Sequence, residues 1–221
     1  MERNAPVRKI PISHGSLTGR HANFRGNGAI GFESSLERDF VTLMLFDPSV
    51  ASVTEQPVRI LYRDAAGKDR HYTPDYLVHR LDQPSALIEV KPSRFLTEDL
   101  EPKFRAGRSY AGQRGWTFQV WTEKEIRTPR LENARFLLPY RSQPVPQDYA
   151  DAVSKTLAGG VKQTVADVID ELSARGLDRG EALAALWHMI SDGTVRADLD
   201  HILDPQSYLW ISEEVLNGLE T

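Results

Sequence analysis

The 221-residue chain contains no cysteine, which excludes disulfides and any thiolate metal site. It also lacks the roughly 18 uninterrupted apolar residues that a membrane span needs. Its first thirty residues are polar and broken by Pro and Gly, so they do not read as a secretory signal. These absences suit a cytoplasmic protein. The six histidines (His14, His21, His71, His79, His188 and His201) never fall at a helical metal-site spacing such as His-x-x-x-His. An excess of basic charge is missing as well, because the formal net charge is −4. That average hides an asymmetry. Residues 1–30 carry Arg3, Arg8, Lys9, Arg20 and Arg25 against Glu2 alone, whereas from Gln147 onward fourteen acids face five bases. A basic amino-terminal arm, a near-neutral middle and an acidic tail suggest different partners for different regions.

What is present reads as two patterns. Residues 33–46 have helical periodicity. Ser52–Tyr62 and Arg70–Arg80 read as a β-hairpin around the turn Asp64-Ala-Ala-Gly67. Ala86–Lys91 is an apolar strand stopped by Pro92, which cannot donate to a ladder. A helix over about 97–113, closed near Gly115, and a strand Trp116–Trp121 follow. Helix, three strands, helix and strand predict an α/β fold with a mixed sheet flanked by helices. Pro139–Pro146 reads as a linker. Beyond it, Val165, Val168, Ile169 and Leu172 make one apolar stripe behind a Thr164 N-cap. Asp178 caps a second helix that stops at Gly193, and two short extended pieces follow (194–197 and 207–211). Helix, tight turn, helix and hairpin outline a winged helix.

The chemistry-bearing residues are unusual for where they fall. Glu37 lies on the helix face that carries Phe40, Val41 and Met44, and burying a carboxylate there is expensive without compensation. An exposed helix-edge acid or an arginine pair would explain it equally well. Glu33, one turn earlier, is a possible auxiliary. In Tyr72-Thr-Pro-Asp-Tyr-Leu-Val-His79, Asp75 follows a proline at a strand start, a place where proline is tolerated. In Leu87-Ile-Glu-Val-Lys91, alternation puts Glu89 and Lys91 on one face of a strand that is otherwise apolar. A surface salt bridge would explain an acid and a base two apart, but not inside an apolar strand. Two or three carboxylates suit a hard cation such as Mg²⁺, which polarises a phosphate and acidifies a bound water. A neighbouring lysine can orient or deprotonate that water, or neutralise growing phosphate charge. The reading is a metal-dependent DNA endonuclease, with Glu37, Asp75 and Glu89 as ligands and Lys91 as base or electrostatic stabiliser.

Glu33-Ser-Ser-Leu-Glu-Arg-Asp-Phe40, Thr73-Pro-Asp-Tyr-Leu-Val78 and Ile88-Glu-Val-Lys-Pro92 resemble the restriction-endonuclease-like superfamily. Within it the chain resembles the TnsA-like transposon-end endonucleases, as does the spacer Val50-Ala-Ser-Val-Thr-Glu-Gln-Pro57. The resemblance covers residues 25–127 best, and it places Glu37, Asp75 and Lys91 on catalytic positions, with Glu89 where the family accepts an acid or a glutamine. Charge, motifs and the Pro139–Pro146 linker together give a basic arm (1–30), an endonuclease domain (31–140) and a winged-helix-like domain (147–221). The resemblance implies one subunit of a heteromeric transposase, using Mg²⁺ (or Mn²⁺) to cut the 5′ ends of a transposon in cut-and-paste transposition. The implied partners are transposon-end DNA, a DDE-type transposase that cuts and joins the 3′ ends, and an AAA+ ATPase regulator. The implied location is bacterial and nucleoid-associated.

Arg20 and Arg25, beside His21, Asn23 and Phe24, are candidate DNA contacts. His79 shares the Asp75 face. Lys103, Arg105, Arg108 and Arg114 either flank the cleft or form a solvated helix face. The acidic carboxy-terminal domain, whose second helix offers few groove-reading side chains, reads as a protein-docking module. The alternatives are a stand-alone restriction, repair or junction-resolving endonuclease, and a non-catalytic DNA-binding assembly subunit. Retention of all four of Glu37, Asp75, Glu89 and Lys91 argues against the last.

Overall fold

A computed structural model describes residues 19–22, 28–158 and 162–211. Arg25 and most of the basic arm lie outside these. The chain divides into two compact units, residues 1–127 and 128–221.

The first unit opens with a two-stranded ribbon, β1 (Gly19–Ala22) against β2 (Ala29–Phe32). Helix α1 (Ser35–Phe46) follows. Ser34 caps it by accepting the Glu37 N–H at 3.1 Å, and Pro48 prevents its continuation. Leu36, Phe40, Val41, Leu43, Met44, Leu45 and Phe46 are all buried, so α1 is a core helix and not a surface one.

The expected hairpin exists, but it is cut in two. β3 (Val50–Glu55) pairs antiparallel with β6 (Tyr76–Arg80), whereas β4 (Ile60–Arg63) and β5 (Asp69–Tyr72) form a separate ribbon. The cut has a backbone cause. Gln56 sits at φ 42°, a left-handed conformation that few non-glycine residues adopt, and Pro57 and Pro74 lack the N–H that would continue the ladders. The Gln56 N–H instead donates to the Asp75 carbonyl at 2.7 Å.

β7 (Ala86–Val90) is antiparallel to β6 and parallel to β8 (Thr117–Trp121), giving the mixed four-stranded order β3-β6-β7-β8. β7 is buried along its whole length, as its apolar sequence suggested, and it lies between β6 and β8 in the sheet. Between β7 and β8, helix α2 (Glu101–Gly112) starts later than its periodicity predicts. Short 3₁₀ turns occupy 93–95 and 98–100, and Pro102 takes the first helical turn. Phe40 stacks on Tyr76 at 5.3 Å and meets Trp121 edge-on, so α1 covers one sheet face. On the other face, Leu77 and Leu87 join Ala111 and Phe118 in a cluster under α2. A capped helix of one turn, α3 (Glu123–Ile126), ends the unit.

The second unit begins with α4 (Pro129–Leu137), ahead of the expected linker. The reason is packing: Leu131, Ala134, Leu137 and Leu138 are buried, and the buried Asn133 amide bonds the backbone at Leu199, His201 and Leu203. Next come α5 (Gln147–Leu157), β9 (Gln163–Thr164) and α6 (Val165–Ala174), then α7 (Arg179–Asp192), β10 (Val195–Ala197) and β11 (Tyr208–Ile211). The strands form a small sheet of order β10-β11-β9. The anticipated caps at Thr164 and Asp178 are present, and Gly193, at φ 90°, ends α7 in the left-handed conformation that glycine tolerates. α5 and β9 extend the helix-turn-helix-hairpin outline read from the sequence.

Candidate active site

Asp75 is the centre of the constellation. It occupies the bend between Pro74 and β6, so its side chain leaves the sheet where regular pairing stops. Its Oδ2 accepts the Val90 N–H at 2.7 Å, a backbone donor that has no β6 partner at that step. Burial holds the Asp75 carboxyl well above the usual carboxylate range, and the nearby charges of Glu89 and Glu37 push it further up. Three acids read from separate parts of the sequence therefore share one electrostatic neighbourhood.

Glu37 reaches it from the first turn of α1. The carboxylate accepts the Glu33 N–H at 2.8 Å and the Ser34 hydroxyl at 2.9 Å, and its Oε2 lies 3.4 Å from the Tyr76 hydroxyl. It is not an exposed helix-edge acid, and among the described residues no arginine pairs with it. Instead it folds back over the helix terminus, where the helix dipole favours an anion. Burial nevertheless raises its pKa, outweighing those hydrogen bonds. Glu33 turns elsewhere and accepts the Gln56 side-chain amide at 3.0 Å.

Glu89 is buried at 4% exposure, and both its oxygens are engaged. Oε1 lies 2.5 Å from Lys103 Nζ, and Oε2 accepts the Tyr72 hydroxyl at 2.8 Å. Lys91 follows the last residue of β7, and its N–H bonds the Trp121 carbonyl at 2.9 Å. With Glu37, Ser34, Arg94, Glu123 and Arg127 it lines a cleft of about 610 Å³. Ser93 donates both its N–H and its hydroxyl to Glu123, holding that carboxyl down at about 2.

Two models of one protein family match the chain. One, described as the TnsA-like endonuclease N terminal, spans residues 47–123; the other, the TnsA endonuclease C terminal, spans residues 125–199. The chain belongs to the TnsA-like endonucleases. No curated protein sequence matches it. The break between the two TnsA matches adjoins the division between the compact units. Asp75, Glu89 and Lys91 fall inside the TnsA-like N-terminal match, and Glu37 precedes it. No helix among the described residues is long and apolar enough to cross a membrane.

The carboxylate oxygens of Glu37, Asp75 and Glu89 have the donor chemistry that a hard cation prefers. Among the described residues, however, no three His, Asp or Glu side chains stand ready as a cage. Lys103 and Tyr72 hold Glu89, and the Val90 N–H holds one oxygen of Asp75. The donors fit, but they are not preassembled.

Some assignments shift. His79 bonds Ser85 Oγ at 2.8 Å and meets Trp116 edge-on, a packing role. The Arg20 guanidinium lies 3.6 Å from buried Glu55 while staying largely exposed. Lys103 is not on a solvated helix face. Asp39 was not among the expected site residues, yet it is buried at 1% exposure between Arg38 and Arg127 (3.1 Å each), the second of which lines the cleft. The place of Asp39 directly before the mostly apolar run Phe40–Phe46 was the available clue.

Proposed function

We propose that this chain is the endonuclease subunit of a heteromeric transposase. It cleaves the 5′ ends of a transposon using Mg²⁺, or Mn²⁺ in its place, at Glu37, Asp75 and Glu89. The observation that carries this reading is the shared electrostatic neighbourhood of the three acids, beside a cleft that Lys91 lines, in a chain of the TnsA-like family. Glu37, Asp75 and Glu89 would hold the divalent cation, whose Lewis acidity would supply polarisation of the scissile phosphate and a more acidic attacking water. The chain's own groups supply the rest. Val90 fixes the direction of the Asp75 carboxylate. The Lys91 ammonium orients the attacking water or neutralises charge that grows on the phosphate oxygens. Arg94 and Arg127, on the same cleft wall, hold flanking phosphates.

The proposed partners are transposon-end DNA, a DDE-type transposase acting on the 3′ ends and an AAA+ ATPase regulator. The second unit is assigned to protein docking. Arg179, the cation at the start of α7, is bound to Asp170 at 2.7 Å, and the groove beside it is lined by Phe136, Ile169, Leu183, Trp187 and Leu203. Such a surface suits an apolar protein segment better than a phosphate backbone.

The test is a nicking assay on transposon-end DNA with the partner transposase present. Wild type nicks the 5′ ends in Mg²⁺, and Lys91→Ala loses about a hundredfold or more. Undiminished nicking by Lys91→Ala would remove the site assignment. Efficient nicking without any partner would indicate a stand-alone endonuclease.

A further inference from the structure

Lys103 stands where the acids need positive charge. Its ammonium touches Glu89 Oε1 at 2.5 Å and sits 4.4 Å from the centroid of the Tyr72 ring. That tyrosine donates its hydroxyl to the other Glu89 oxygen. Lysine and tyrosine thus form one clamp on the carboxylate. The pair is sheltered from solvent, with side-chain exposures of 20% for Lys103 and 6% for Glu89, so water does little to loosen it. Lys103 also reaches beyond Glu89, because its charge partly offsets the crowding of negative charge at Asp75. The stem is confined too, since the ammonium lies 5.8 Å from the Phe104 ring.

We infer that Lys103 is an internal counter-cation of the acidic site: it holds Glu89 in the metal-free chain and must release that carboxylate before a divalent cation takes it. The inference rests on the metal-dependent reading above. A divalent cation at Glu89 Oε1 would stand at close range to the Lys103 ammonium and be strongly repelled by it, and Tyr72 already takes the other oxygen, so metal entry favours displacement of the ammonium. Lys103 is accordingly a positioning residue that lowers metal affinity. A lysine that merely orients Glu89 for the metal would raise it.

The two roles predict opposite signs. Mn²⁺ alone is titrated calorimetrically into the full-length chain without DNA, comparing wild type, Lys103→Met and Lys103→Arg. Met keeps the apolar stem against Tyr72 and removes only the charge. Lys103→Met should bind Mn²⁺ about tenfold tighter or more, given the energy of one adjacent charge in a partly buried site. Lys103→Arg, with the charge restored, should stay near wild type. A second measurement needs no variant: amine labelling of Lys103 in the wild type, read by mass spectrometry, should rise on Mn²⁺ saturation while that of Lys124 stays constant. Equal or weaker binding by Lys103→Met, or labelling of Lys103 that ignores saturating metal, overturns the counter-cation role and leaves the nuclease reading standing. Failure of wild type and both variants to bind Mn²⁺ at all overturns the metal-dependent reading together with it.

Discussion

Gly107→Ala sets two known effects against each other at a place where the structure decides the winner. Alanine inside a helix is favoured over glycine by about 0.5–1 kcal/mol. At Gly107, however, the added Cβ would lie 2.6 Å from one edge atom of the Phe118 ring and 2.8 Å from the next. That ring cannot swing aside freely, because Phe104 packs against it and it belongs to the cluster under α2. Forcing a methyl into such a contact costs about 1–3 kcal/mol. The expected net effect is a loss of about 1–2 kcal/mol. Gly112 is the internal control, since its Cβ would meet nothing within 4 Å and its replacement by alanine should be neutral or mildly stabilising. Urea unfolding, with hydrogen exchange separating the two units, gives the comparison. Lys103 lies one turn before Gly107 on the same helix face. Lifting α2 from β8 should therefore also loosen the clamp on Glu89 and tighten Mn²⁺ binding. A Gly107→Ala protein as stable as Gly112→Ala, with unchanged metal affinity, would refute the close-approach explanation.

Other expectations are more direct. Because the Asp75 and Glu37 carboxyls are raised from their ordinary values of 3.8 and 4.5, the folded chain binds more protons than the unfolded one above that range. The metal-free protein should accordingly lose stability as pH rises through their folded-state values. Asp75→Asn should flatten that slope in thermal melts while abolishing nicking; a steeper slope would contradict it. Asn133→Ala strands two carbonyls and one N–H in the second unit, and should cost about 3 kcal/mol by urea unfolding. Removing the charges of Arg20 and Arg25, or of Arg94, should weaken DNA association. The slope of log K against log salt should then fall by about 0.9 for each phosphate that the chain no longer neutralises. An unchanged slope would take these residues off the DNA path.

Much of the site is readable in the sequence because strand and helix periods act locally. Alternation alone separates Glu89 from Ile88 and Val90, and Pro74 marks the strand start that Asp75 immediately precedes. Lys103 is not readable this way. Its helix phase depends on where α2 begins, which Pro102 and two 3₁₀ turns shift by several residues, and its partner is across a tertiary contact. The Tyr72 hydroxyl is hidden for a similar reason, since the split hairpin carries its strand out of the sheet, yet the residue still packs against β7. The start of the second unit was obscured by Pro139–Pro146, a stretch that looks like a linker but follows a helix already committed to that unit.

The Val90 amide has a consequence for variation. Position 90 serves the acidic site through its main chain, so many side chains that fill the same apolar space can be exchanged there at no chemical cost. Only an imino acid, which would leave the neighbouring aspartate without its tether, is barred.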